Sequence, residues 1–438
     1  MADWVDLIVR KRNSEGLEPE EVVEMVEAVQ RDEVAPEQFG AFLMAAAING
    51  LDDEETAGLA KALLKSGQVL SFADLGYPAV DVGETGGLGN NGAMAALVIA
   101  AVYGARVPVV AQKSQGLFGG LLDKFESIPG FRTDLPPGEF QENVRAHGIG
   151  VMGQSSEMAP ADTKIHQIRT QTGTLNGASL TVASLLARKA AGGVKGLVAE
   201  IACGSGGIAR DLSEAHQLAD ALFNVGENLG FHVTGLITNR QEPIGHAVGD
   251  CLELKETIQV LRGQGPEDLK EVTTNLASCL LVIGQLATDH AQGVQLAEEA
   301  LADGRAFEKL KEIVSHQGGD SMAIENPDHL PRGQSERQVT TQRGGYIKSI
   351  DCEALGRAWM QLGGSRQNRG DSTDHRVGLV VHKKVGERVE RGESLVTMHT
   401  SEKSKIEPAT EAVEEAFLIS PDPAPGTRPI IENFGRRR

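Results

Sequence analysis

Apolar residues recur at helical spacing through the N-terminal part of the chain. Leu7 and Ile8, then Val22, Val23, Met25, Val26 and Val29, follow the rhythm of helices that bury one face. Gly16 and Pro19 separate the first two helices, and Pro36 opens a third carrying Phe39, Phe42, Leu43 and Ala46. Asp52 or Asp53 is placed to cap a fourth, which runs through Leu59 to Leu64 and stops near Gly67. From about residue 78 the pattern turns to short Val-rich runs. Residues 79–83 and 106–112 predict strands around a long apolar helix over Ala93–Tyr103, and residues 144–154 predict another strand. Residues 163–192 return to helical spacing, interrupted at Gly173 and Gly177. A strand entering a glycine turn is predicted over 196–207, a second strand over 232–240, and a turn running into a helix over 246–261. Helical segments fill 266–317, and after about residue 340 the chain becomes rich in β-strands and turns. There is no internal repeat.

Composition narrows the class. At 438 residues the chain is long enough for two or three domains with a large core. Its 42 Lys+Arg against 61 Asp+Glu give a net charge of −19, which repels nucleic acid and anionic membranes. An anionic ligand therefore needs local positive charge. A salt-rich cytoplasm would also select such a surface. The four cysteines, Cys203, Cys251, Cys279 and Cys352, lie far apart without a CxxC pair, as reduced intracellular thiols do. No signal peptide opens the chain, and its longest apolar run is too short to span a bilayer. A cytoplasmic protein is expected, with neither membrane nor nucleic-acid partners.

Candidate chemistry concentrates between Asp81 and Phe131. Glycines at 83, 86, 87, 89 and 92 lie between the first Val-rich run and the apolar helix. Such a turn lets a ligand approach the backbone and aims free N–H groups at one point, which makes an anion site of Thr85, Gly86 and Gly87. A merely tight strand-to-helix turn has the same composition.

The motifs TGGLG (85–89) and GGLLDKFESIPGF (119–131) resemble the signature of the thymidine and pyrimidine-nucleoside phosphorylases. That family usually reads Lys-His-Ser-Thr-Gly-Gly-Val-Gly, then Gly-Gly-Thr-Leu-Asp-Lys-Leu-Glu-Ser-Ile-Pro-Gly-Phe. SSEMAPAD (155–162), LGG (362–364) and VGLVVHKKVG (377–386) extend the resemblance over essentially the whole chain. It implies an α/β fold of two lobes, the nucleoside phosphorylase/phosphoribosyltransferase type. The small helical lobe would comprise residues 1–66 and 163–193. The larger α/β lobe would comprise 67–162 and 194–339, followed by a C-terminal α+β portion over 340–438. It also implies a homodimer joined through the helical lobes.

The resemblance assigns the base side to Arg169, Ser184 and Arg188, which match the Arg, Ser and Lys that hydrogen-bond the pyrimidine, with His166 where many members have a stacking Tyr. Without it, both arginines read as ordinary helix-surface residues. A monovalent cation, K+, would be held at Gly89, Asn91, Ile244, Ala247 and Glu256, and no organic cofactor is implied. Asp123, Lys124 and Glu126 read as structural.

The phosphate side departs from the family. Val82, Gly83 and Glu84 replace Lys-His-Ser, and Ala93, Ala111 and Leu121 replace hydroxyl residues. Lys113, where the family has Arg, is the nearest new cation. A carboxylate 4 Å from phosphate is repulsive by about 4 kcal/mol at an effective dielectric of about 20. The family reaction is phosphorolysis of a pyrimidine nucleoside, with Arg169, Arg188 and Glu84 the residues expected to carry the chemistry. Three alternatives stand beside it. Glu84 could act as base on water, which would make the protein a hydrolase. The protein could bind nucleosides without cleaving them. More distantly, it could be a phosphoribosyltransferase. Glu84 also reads as a cap on the glycine turn.

Overall fold

The N-terminal rhythm becomes four helices in the computed structural model, which describes residues 3–89, 91–113, 117, 119–366 and 371–435. They are α1 (Trp4–Arg12), α2 (Pro19–Gln30), α3 (Pro36–Asn49) and α4 (Asp53–Lys65). Asp52, not Asp53, caps α4 by accepting from the N–H groups of Glu54 and Glu55. A buried ion pair, Lys11 with Glu55 at 2.8 Å, ties α1 to α4.

The α/β lobe begins with β1 (Val80–Glu84), α5 (Gly92–Val102), β2 (Val107–Ala111), α6 (Leu121–Glu126), α7 (Pro137–His147) and β3 (Ile149–Gly153). The strand predicted from residue 144 starts five residues later. Phe140 and Val144 continue the buried face of α7, which ends only where Gly148 turns left-handed at φ 81°. The chain then forms α8 (Pro160–Thr172) and α9 (Ala178–Ala191). Their residues Ile165, Leu180, Ala183 and Ala187 share one core with Phe39, Phe42 and Leu59, so two segments distant in sequence pack into one helical lobe.

Next come β4 (Gly196–Cys203), α10 (Leu212–Asn228), β5 (His232–Asn239), β6 (Ala247–Val248), α11 (Asp250–Leu261), α12 (Glu267–Ile283), α13 (His290–Ala302), α14 (Arg305–His316) and α15 (Ser321–Glu325). Strands β1, β4 and β5 run parallel, while β2 and β3 form a second parallel pair. The C-terminal portion contains β7 (Ser335–Thr340), β8 (Gly345–Ile350), α16 (Cys352–Leu362), β9 (Gly378–Val381), β10 (Arg388–Val389), β11 (Ser394–Thr400), α17 (Ile406–Ala416), β12 (Phe417–Ser420) and β13 (Ile430–Gly435). Strand pairing crosses the expected boundary near residue 340. Strand β13 returns to pair antiparallel with β5, and β6 pairs with β9. The four cysteines are free and buried. Among the described residues, no helix is long and apolar enough to cross a membrane.

Candidate active site

Ligands of open parallel sheets collect beyond the carboxyl ends of the strands. Here the ends of β1 and β2 and the turn after β4 face α8 and α9 across a cavity of about 480 Å³. It is lined by Glu84, Thr85 and Gly86 on the sheet side, and by His166, Arg169, Ser184 and Arg188 on the helical side. Residues from both halves of the sequence reading thus share one cleft between the lobes.

The helical wall is organised by Asp162. Its Oδ1 accepts from Ser184 Oγ at 2.5 Å and its Oδ2 from Arg188 Nη1 at 3.2 Å. Arg188 Nη1 also donates to Ser184 Oγ at 2.6 Å, across one turn of α9. From the opposite lobe, Gln112 and Gln154 each donate to Asp162 Oδ2, at 3.2 and 3.1 Å. Arg169 is committed differently. It donates to the carbonyls of Thr174, Leu175 and Leu180 and to Thr181 Oγ1, so it shapes the turn between α8 and α9 while lining the cavity. Burial lowers its pKa to about 10. Burial likewise lowers His166 to about 4, so its imidazole is neutral at pH 7.

Glu84 closes β1, opposite that wall. Burial raises its pKa to about 7, against the pull of the Lys124 ammonium. Lys124 is itself buried and paired with Glu253 at 3.0 Å. Glu84 Oε1, His166 Nε2 and Arg188 Nε are all buried without a hydrogen-bond partner. An unpaired buried polar atom costs about 1–3 kcal/mol, which a complementary ligand would recover.

Of the expected anion elements, Thr85 and Gly86 line the cavity, but several of their polar groups are engaged within the protein. Thr85 Oγ1 donates to Glu200 O and accepts from Ala202 N, so its hydroxyl is held on β4. The N–H groups of Thr85 and Leu88 donate to the carbonyls of Glu200 and Gly206. Gly87 lies against Ala202 and the Gly206 carbonyl, the reason this loop packs on the glycine turn after β4. Lys113 does not line the cavity, and its ammonium is paired with Glu126 at 2.8 Å. Val82, Ala111 and Leu121 supply apolar wall instead. At Gly83 an added Cβ would lie 3.1 Å from Leu185 and Leu197, so no larger residue fits there without a shift.

Three family models match in sequence order. Residues 5–67 match the glycosyl transferase family helical bundle domain, 76–307 its a/b domain, and 346–420 the pyrimidine nucleoside phosphorylase C-terminal domain. The chain is 34% identical to a pyrimidine-nucleoside phosphorylase of Staphylococcus epidermidis over 91% of this chain and 92% of that one. The chain belongs to the pyrimidine-nucleoside phosphorylase family. A relative of the same description from Geobacillus stearothermophilus is 33% identical over 96% of both chains. Anthranilate phosphoribosyltransferase from Thermus thermophilus shares the fold, with TM-score 0.58 and 20% identity, covering 71% of this chain and 99% of its own.

The residues that the resemblance assigned to a cation also lie together. Asn91 is fully buried, its Nδ2 donates to Glu256 Oε2 at 3.0 Å, and its Oδ1 has no partner. Glu256 accepts from His246 N at 2.8 Å and from Ala247 N at 3.4 Å, and burial raises its pKa to about 7. Gly89 lies against the Ile244 carbonyl, 2.9 Å from where a Cβ would stand. An orphaned amide oxygen, a carbonyl and a carboxylate are a donor set that fits a hard cation.

Asp162, Gln112, Gln154, Lys124 and Lys189 were not singled out by the sequence reading as site residues. Gln112 and Gln154 directly follow β2 and β3, so the strand-end rule could have found them. Lys189 lines the cavity and pairs with buried Asp81 at 2.5 Å, a contact no local pattern announces.

Proposed function

We propose that the chain cleaves the N-glycosidic bond of a pyrimidine nucleoside in this cleft, with Glu84 presenting water to the anomeric carbon. The carrying observation is the trio of unpaired buried atoms, Glu84 Oε1, His166 Nε2 and Arg188 Nε, on residues lining one cavity. The base lies against His166, Ser184, Arg188 and Arg169. The water oxygen bonds to the anomeric carbon as the C–N bond breaks, Glu84 takes the water proton, and the bond's electron pair leaves with the base beside Arg188. Positive charge there stabilises the departing base. The apolar wall of Val82, Ala111 and Leu121 favours water over an anion.

Phosphorolysis, the family reaction, is the second reading. One observation favours it: a carboxyl with a pKa of about 7 is part protonated at neutral pH and can donate to phosphate. Base release from uridine and thymidine, followed with and without phosphate, separates the two. Equal rates support hydrolysis, and release that needs phosphate restores phosphorolysis. No release from either nucleoside leaves a protein that only binds them.

We propose further that K+ is held by Gly89, Asn91, Ile244, Ala247 and Glu256. Its charge would keep Glu256 ionised and tie the glycine loop to the turn before α11. Exchanging K+ for tetramethylammonium should lower the melting temperature of the native chain but not of Glu256→Gln.

A further inference from the structure

Helices α7 and α14 end side by side, and each ends in histidine. The rings of His147 and His316 stack with centroids 3.4 Å apart and 21° between planes. Glu312 stands one turn before His316, a spacing that puts both side chains on one face of α14. His147 Nδ1 lies 3.3 Å from Glu312 Oε1. A nitrogen from each ring and one carboxylate oxygen all fall within 4.8 Å of one another. The second oxygen of Glu312 accepts from Lys309 Nζ at 2.9 Å, which fixes the carboxylate with Oε1 turned toward the rings.

We propose that His147, Glu312 and His316 bind a first-row transition metal ion of the Zn2+ type. Two imidazole nitrogens and one carboxylate oxygen are the donors such ions prefer, whereas Mg2+ and Ca2+ take oxygen ligands. Each nitrogen lone pair lies in its ring plane, so binding turns the exposed His316 ring out of the stack, toward an ion that arrives from solvent. The cluster Asp123, Asp250 and His375 has comparable spacing but offers one imidazole against two carboxylates, a donor set less suited to such an ion.

The ion would fasten rather than catalyse. Gln317, directly after His316, accepts from Val151 N and donates to the carbonyls of Arg132 and Val151. The end of α14 is thus stitched to β3, whose following residue Gln154 reaches Asp162 in the cleft. Metal at this joint would clamp α7 and α14 against the strand that supports the helical wall.

The test titrates the full chain, stripped with chelator, with ZnCl2 by calorimetry at pH 7.5. One ion per chain is expected, with no heat from MgCl2. His316→Ala and Glu312→Gln should each weaken binding at least tenfold. Zn2+ should raise the melting temperature of the native chain and leave that of His316→Ala unchanged. No Zn2+ binding, or binding unchanged by His316→Ala, overturns the proposal. Co2+ added to the native chain gives a readout that needs no variant. A visible band of nitrogen–oxygen ligation that Zn2+ bleaches supports the site, and the spectrum of the free aqueous ion counts against it.

Discussion

Asp162 Oδ1 and Ser184 Oγ lie 2.5 Å apart, and this contact joins the start of α8 to the middle of α9. The same carboxylate pairs with Arg188 and receives both glutamines of the opposite lobe. Asp162 therefore fixes Ser184 and Arg188 on the cavity wall, and in the proposed reaction it is a positioning residue for the base. Asp162→Asn removes its charge and turns one oxygen into a donor. Loss of the charge-assisted bonds should cost about 1.5–3 kcal/mol, read as a ten- to hundred-fold rise in KM for nucleoside. Calorimetry with uracil would show the same loss in the free base, and unchanged affinity would remove Asp162 from this role.

Glu84 makes stability depend on pH. Its pKa rises from 4.5 to about 7 on folding, chiefly by burial, so the folded state holds the proton more tightly than the unfolded one. Its contribution is complete below pH 4.5 and is lost as pH rises through 7. Relative to the native chain, Glu84→Gln should gain on the order of 2–3 kcal/mol between pH 4.5 and 8. Urea denaturation at several pH values measures that difference. Parallel curves for the two proteins would show that Glu84 is solvated.

The helical lobe and the main strands were legible because buried faces leave a periodic trace: Phe39, Phe42 and Leu43 mark α3, and the Val-rich runs mark β1 and β2. Strand β13 left no such trace. It is an edge strand with mostly exposed side chains, and its pairing with β5 depends on backbone hydrogen bonds. The site divides along the same line. Ser184 and Arg188 share a helix face, so their proximity follows from spacing. Thr85 turned to β4 and Lys113 to Glu126 because of partners 115 and 13 residues away, which no motif encodes.

Homodimerisation through the helical lobes is expected from the exposed apolar residues Val5 on α1 and Met44 and Ile48 on α3. Ile48 is 74% exposed, and a residue of that size gains from burial against a second copy. Light scattering should give a dimer for the native chain and a monomer for Ile48→Glu, with similar melting curves at high dilution. A native monomer at micromolar concentration would leave this face without a partner.

The nucleophile is decided by the direction of the pH profile. If Glu84 is the base, it works ionised, and base release without phosphate rises tenfold per pH unit until it levels above about pH 7. If Glu84 instead donates a proton to phosphate, release is greatest below pH 7 and falls as the carboxyl ionises. The two curves bend at the same pKa in opposite directions, so one substrate and two buffers suffice. Glu84→Ser then separates charge from position. It removes the base, which should lower phosphate-independent release by about 10²–10⁴-fold. It also removes the repulsion and supplies a hydroxyl, so phosphate should begin to accelerate the reaction. A Glu84→Ser protein that still releases base without phosphate at the native rate would place the water-activating group elsewhere in the cleft.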